Sequence, residues 1–97
     1  MNTKCSRIIF SQHAFTRMFE REISPDAVKR AAQMGEVIEN YPDDHPYPSV
    51  LLLYFEEGRA LHIVAGVNET ESACHIVTAY WPDPKLWSAD FKVRRKK

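Results

Sequence analysis

The chain has 97 residues, 44% of them hydrophobic and 27% charged, with 13 basic residues against 13 acidic ones. That length makes a single domain over 1–97 with a modest core, and the composition excludes a disordered or fibrous chain. Zero net charge excludes a protein that coats DNA or RNA by electrostatics alone, and no apolar run is long enough to span a bilayer.

Met1-Asn2-Thr3-Lys4-Cys5 carries one Lys with no long apolar stretch behind it, so no signal peptide is expected. Cys5 and Cys74 fit no metal spacing and no disulfide framework, and read as reduced thiols of a cytoplasmic protein. Arg7-Ile8-Ile9-Phe10 is an extended lead-in or an edge strand. Ser11 suits a helix N-cap, because its hydroxyl can accept from a free backbone N–H of the first turn, and the first helix is expected from about Gln12 to Arg21. Ser24-Pro25-Asp26 opens a second helix, with Pro at its first position and an acid near the positive end of the dipole. Ala27, Val28, Ala31, Ala32 and Met34 form its apolar side, and Gly35 is expected to close it in the left-handed conformation.

After Gly35 the period changes from helical to extended. Glu36–Tyr41 reads as a strand, and the prolines of Pro42–Pro48 forbid regular structure there. Val50–Phe55 is apolar on both faces, as a central strand would be. Glu56-Glu57-Gly58-Arg59 reads as a hairpin turn, Ala60–Val67 as a strand, Asn68–Ser72 as a turn and Ala73–Tyr80 as the last strand. Two helices over about 12–34 followed by four strands over about 36–81, joined mainly by short turns, imply an α+β fold. Its two N-terminal helices pack on one face of a four-stranded antiparallel sheet, or a five-stranded one if residues 7–10 join it. Residues 92–97 form a basic C-terminal tail, either a solubilising end or a hold for phosphate or an acidic partner.

The pattern with most chemistry in it is on the first helix. His13, Arg17 and Arg21 are four apart and form one slanting row. Ala14, Phe15, Met18 and Phe19 fill the neighbouring arc and are expected core contacts. A His can donate or accept a proton near neutral pH, and Arg binds phosphate through a planar fork of donors. Strand alternation sets Leu61, Ile63, Ala65 and Val67 on the core side and His62, Val64 and Gly66 on the other. In the last strand it groups Cys74, Ile76, Thr78 and Tyr80 on one face. If Thr78 and Tyr80 share the face of His62, a cleft at the sheet margin can add His13 and Arg17.

Cleavage of RNA without metal needs such parts: a base for the 2′-OH, an acid for the leaving 5′-oxygen and a cation for the charged transition state. The same residues also have ordinary uses, as solvated helix surface, a half-buried strand histidine and common strand formers. A metal site would have to draw on His13, His45, His62, His75 and the two cysteines, none at a recognised spacing, so neither metal nor cofactor is expected.

His13-Ala14-x-x-Arg17-Met18-x-x-Arg21-x-Ile23-Ser24, followed by Gly35-Glu36-Val37-Ile38-Glu39, resembles a widespread bacterial family, domain of unknown function 4258. Tyr47-Pro48-Ser49, Leu61-His62-Ile63-Val64, Val77–Asp83, Trp87 and Arg94-Arg95 extend the likeness in order over nearly the whole chain. The family is grouped with the barnase–EndoU–colicin–RelE type of ribonuclease fold, two helices followed by a curved antiparallel sheet, and its members are often encoded beside a small partner protein. The resemblance therefore implies a metal-independent endoribonuclease-like toxin with an RNA substrate, held in check by an antitoxin. It puts catalysis on His13, Arg17 and His62, and substrate contacts on Arg21, Thr78, Tyr80, Arg94 and Arg95. The alternative is a non-catalytic module of the same fold that binds a protein or nucleic acid, with an exposed patch around Trp81 and Trp87. The enzyme reading requires His13, Arg17 and His62 to meet in one cleft. An edge strand and the Pro-rich loop leave room for dimerisation or antitoxin docking, which composition does not decide.

Overall fold

Seven elements form along the chain in a computed structural model that describes residues 5–96: β1 (Arg7–Phe10), α1 (Gln12–Glu20), α2 (Pro25–Met34), β2 (Glu36–Tyr41), β3 (Ser49–Glu56), β4 (Arg59–Asn68) and β5 (Ala73–Tyr80). Met1–Lys4, on which the leader expectation rests, and Lys97, the end of the expected basic tail, lie outside the described residues. Both helices start as the caps predict. The Ser11 hydroxyl accepts from the amide of Ala14 at 3.0 Å, and that of Ser24 from Ala27 at 3.1 Å. After α1, Glu22 takes the left-handed conformation (φ 57), Ile23 N–H donates to Met18 at 2.8 Å and Glu22 N–H to Phe19 at 3.2 Å. That is a Schellman closure with buried Ile23 as its apolar lock. Gly35 is not left-handed, contrary to expectation, but extended (φ −71, ψ 161). It is glycine for space, because a Cβ there would stand 2.4 Å from the Ala31 carbonyl oxygen.

The sheet order is β1-β5-β4-β3-β2. β2 to β5 form the expected antiparallel meander, and the hairpin between β3 and β4 turns through Glu57 and Gly58, both at positive φ as a tight two-residue turn requires. Residues 7–10 do join as a fifth strand, but parallel to β5, so the sheet is mixed and not wholly antiparallel. No hairpin links β1 to β5, so turn geometry does not fix their direction. The chain passes from β1 through Ser11 alone into α1, which packs back along β5.

The helices cover one face. Ala14, Met18, Ala27, Val28 and Ala31 meet Leu52, Leu61, Ile63, Ala65 and Ile76 in a core that excludes water. Arg30 ties α2 to β3 through its Nε–H, which donates to Glu56 at 3.2 Å. The expectation that Phe15 and Phe19 are core contacts is corrected: they are 48% and 86% exposed. α1 is one short helix at the sheet's edge and seats a narrow stripe, Ala14 and Met18, while the Phe15 ring rests against Phe10 at 5.2 Å.

Cys5 and Cys74 are also corrected. They form a disulfide, with Cα atoms 5.4 Å apart and a sequence separation of 69. The parallel pairing of Ile8 with Cys74, and the amides of Ser6 and Arg7 bonded to the Ser72 carbonyl, bring the Cys5 segment there. Reduced thiols were the ground for a cytoplasmic location, and a disulfide removes it, since such bonds persist in oxidising surroundings. No helix among the described residues is long and apolar enough to cross a membrane.

Residues 82–96 are no frayed tail. They fold back as a strap across the sheet face that the helices leave free, held by a bridge between Trp87 and Arg94, by Ser88 N–H donating to Val93 at 2.7 Å and by Arg95 N–H donating to Leu86 at 2.8 Å.

Candidate functional site

Residues paired directly across neighbouring strands project to the same side of a sheet. On the face away from the helices this gives three rows: Glu36–Leu53–His62–Tyr80 at one end, Leu51–Val64–Thr78 in the middle, and Tyr41–Ser49–Gly66–His75 at the other. The end rows are four residues apart on β3, about 13 Å. Strict alternation along β5 mis-sorts it. Thr78 pairs with Val64 and Ile76 with Ala65, which leaves Val77 as a bulge. The extra residue flips the phase, so Cys74 and Ile76 face the helices while His75, Thr78 and Tyr80 face the other way with His62.

The strap closes the first row. His62 has no exposed surface, its ring meeting that of Trp87 edge to face with centroids 4.5 Å apart, and Lys92 reaches Glu36 at 3.1 Å. The Phe91 carbonyl can only accept, so His62 Nε2 carries the proton and donates to it at 2.8 Å. Nδ1 is then the acceptor for the Tyr80 hydroxyl, 3.2 Å away. Burial holds the His62 pKa below its ordinary value, only partly opposed by the bond to Phe91, and the ring is neutral at pH 7. Burial likewise pushes the Tyr80 phenol up, nearby Tyr41 adding to the shift and Arg94 opposing it. A histidine so enclosed cannot touch a substrate, but it orients Tyr80.

The helix row follows the edge of β5 that β1 leaves open, since β1 pairs only as far as Ile76. Arg21 is half-buried there. Its guanidinium donates to the Ala79 carbonyl at 2.7 Å and approaches the Thr78 hydroxyl at 3.4 Å, satisfying an open strand edge. The Trp81 indole N–H donates to the Arg21 carbonyl at 2.8 Å, and Arg59 lies 4.0 Å over the Trp81 ring. Arg17 is exposed and pairs with Glu20 at 3.5 Å. Arg94 sits 5.5 Å over Trp87, and Arg95 donates to the Pro84 carbonyl at 3.0 Å. Trp87, the strap's own anchor, is buried and Trp81 is half-buried, so the exposed tryptophan patch expected of a binding module is not formed.

The third row lies outside the strap, and its Ser49, Gly66 and His75 floor a groove of about 360 Å³, with Ser49 and Gly66 buried at its base. Ser11 and His13 flank it from the start of α1, together with bulged Val77. His45 and Tyr47 flank it from the Pro-rich loop, and His75 rises from the floor, its ring stacked on that of Tyr47 with centroids 4.9 Å apart and planes 22° from parallel. The expected meeting of His13, Arg17 and His62 therefore does not occur in this groove: His62 is enclosed at the other end of the face, and the imidazoles that share the groove with His13 are His45 and His75. The three do not form a metal-holding group among the described residues. Their arrangement offers two or more titratable rings and an aromatic wall around one opening, suited to passing protons to and from a bound polar ligand. Strict alternation along β5 sets His75 on the face opposite Thr78 and Tyr80, which hides it in the sequence, and His45 stands in an irregular loop that carries no periodicity. The one available signal was the two-residue turn at Glu57-Gly58, which fixes Ser49 opposite Gly66.

A family model described as "Domain of unknown function (DUF4258)" matches residues 10–81. Comparison with curated proteins and with solved structures found no match.

Proposed function

The chain belongs to the DUF4258 family, and since His62 does not meet His13 and Arg17, an enzyme reading stands only on other residues: we propose that it is a metal-independent endoribonuclease-like protein acting in the groove of His13, His45 and His75. The observation that carries the reading is that three of the chain's four histidines border one opening. One imidazole takes the proton of a ribose 2′-OH, the freed oxygen attacks phosphorus, and a second imidazole protonates the departing 5′-oxygen, leaving a 2′,3′-cyclic phosphate and a 5′-hydroxyl. His13 and His75 stand at the groove's edge and floor and share these roles. Arg17, one turn along α1 from His13, holds the phosphate. Arg21, Thr78 and Tyr80 fix the adjoining strand, and His62 is a positioning residue behind Tyr80. The grouping with RelE-type toxins that the family resemblance implies supports an RNA substrate and an antitoxin partner, in a toxin–antitoxin pair.

The test is incubation of wild type, His13→Ala and His75→Ala with single-stranded RNA in EDTA, with end-group analysis of the products. Wild type should yield cyclic phosphates, and each variant should be slower by about 10²- to 10⁴-fold. No cleavage, or equal cleavage by all three proteins, overturns the reading. The second reading, a non-catalytic module that docks on a partner, is favoured by exposed Phe15 and Phe19 on α1. Its signature is RNA or protein binding with no turnover.

A further inference from the structure

Gly66 lies in the interior of β4, where glycine weakens a strand relative to alanine. Nothing in the fold demands it. Its φ is not positive, and a Cβ built on it would meet the His75 carbonyl at 3.8 Å, the Tyr47 Cβ at 3.8 Å and the Ser49 hydroxyl at 3.9 Å, all ordinary contact distances. The missing side chain therefore serves neither a backbone conformation nor close packing. What it does is leave room at the base of the groove between Ser49 and His75, beside the Tyr47–His75 stack, where Ser49 and Gly66 are themselves buried. A glycine in a strand interior marks a bulge, a bend or a place where a ligand or another backbone approaches closely, and the β5 bulge at Val77 falls opposite Val64 and Ala65, not opposite Gly66.

We propose that this recess is a nucleobase slot: a base of single-stranded RNA enters over Gly66, against the aromatic wall of Tyr47 and His75, with the Ser49 hydroxyl in its floor. The slot rests on the RNA-directed reading of the same groove and adds to it which part of the substrate is held, and by what. Three features fit a base better than a bare phosphate. The wall is a stacked aromatic pair, and bases stack on such rings with little regard to sequence. The floor is backbone and a small hydroxyl with no cation among them, whereas a phosphate site would bring Arg or Lys to the floor. The volume, about 360 Å³, is at the small end of the roughly 300–1,000 Å³ usual for ligand sites and suits one ring system, not a folded RNA.

The experiment measures binding without chemistry. A fluorescent 2′-O-methyl oligonucleotide, which has no free 2′-OH to react, is titrated against wild type, Gly66→Ala, Gly66→Val and Tyr47→Ala, beside an oligonucleotide with abasic positions. The slot predicts that wild type prefers the base-bearing strand by about tenfold or more. Gly66→Ala should keep or raise its melting temperature while binding several-fold more weakly, and Gly66→Val and Tyr47→Ala should lose the preference for bases. Equal affinity of wild type for base-bearing and abasic strands, or undiminished preference in folded Gly66→Val, overturns the slot. Base-dependent binding by a wild type that cleaves no RNA upholds the slot and overturns the ribonuclease reading. Cleavage lost in the histidine variants with no base preference does the reverse.

Discussion

The two ends of the free sheet face make opposite use of the same side chain. At the Glu36 end, His62 is buried, has both ring nitrogens engaged by the chain's own groups and is roofed by Trp87. At the Tyr41 end, His75 is half-buried and stacks on Tyr47 beside an opening that His13 and His45 also border. The strands beneath are continuous, and the difference comes from what crosses them. The strap of residues 82–96 spans one end only, and the Pro-rich loop flanks the other without sealing it. A histidine's role is therefore set by its cover and its hydrogen-bond partners more than by its place in a motif. His62 holds the sheet to the strap, and the groove histidines are free to meet a ligand.

The largest effect that would test this contrast is removal of the roof. Trp87→Ala takes away the one large buried side chain of the strap and leaves a cavity above His62, which should destabilise the protein by about 3–5 kcal/mol in urea unfolding. A loss under about 1 kcal/mol would mean the strap is a loosely held tail, and the contrast between the two ends would collapse. A step smaller is His62→Ala, expected to cost about 2–4 kcal/mol because the Phe91 carbonyl and Tyr80 hydroxyl lose their partner in a closed space. The pH dependence sharpens the point. His62 titrates below its ordinary value when folded, so between that lowered value and about 6.5 the unfolded chain binds more protons than the folded one. Stability is complete above pH 6.5 and declines as the pH falls through that window. His62→Gln should flatten the decline, and an unchanged slope in that variant would show that His62 is not the group being titrated.

Much of this was legible before any coordinates. Ser11 and Ser24 as caps, the Glu57-Gly58 turn and the core side of β4 follow from local chemistry acting on nearby residues, and each formed as expected. The parts that were not legible depend on one extra residue or on distant chain. The Val77 bulge shifts the phase of β5 by one, which separates Cys74 and Ile76 from Thr78 and Tyr80 and turns His75 toward the groove, and no composition rule marks that position. The Cys5–Cys74 bond follows from a parallel pairing across the whole chain. In sequence the strap reads as a basic tail because its anchors, the buried Trp87 ring and the Phe91 carbonyl, are few and its charges many. The helix row of His13, Arg17 and Arg21 was found in the right place, along β5, but its three members divide the work. Arg21 satisfies the strand edge, Arg17 remains exposed, and His13 borders the groove.

The smallest expected effect on stability carries the most weight for function. His13 is exposed, so His13→Ala should change the unfolding free energy by no more than about 0.5 kcal/mol. His75→Ala loses only its stack on Tyr47, at a cost near 1 kcal/mol or less. A fold that is indifferent to these two side chains has no structural use for two imidazoles beside one opening. If both variants keep the wild-type melting curve within these margins while the cleavage rate drops a hundredfold or more, the groove end of the face is the working end and the strap end is its support. If instead His13→Ala or His75→Ala destabilises the protein as much as His62→Ala does, those histidines hold the fold together as His62 does, and any loss of cleavage they cause is a loss of structure.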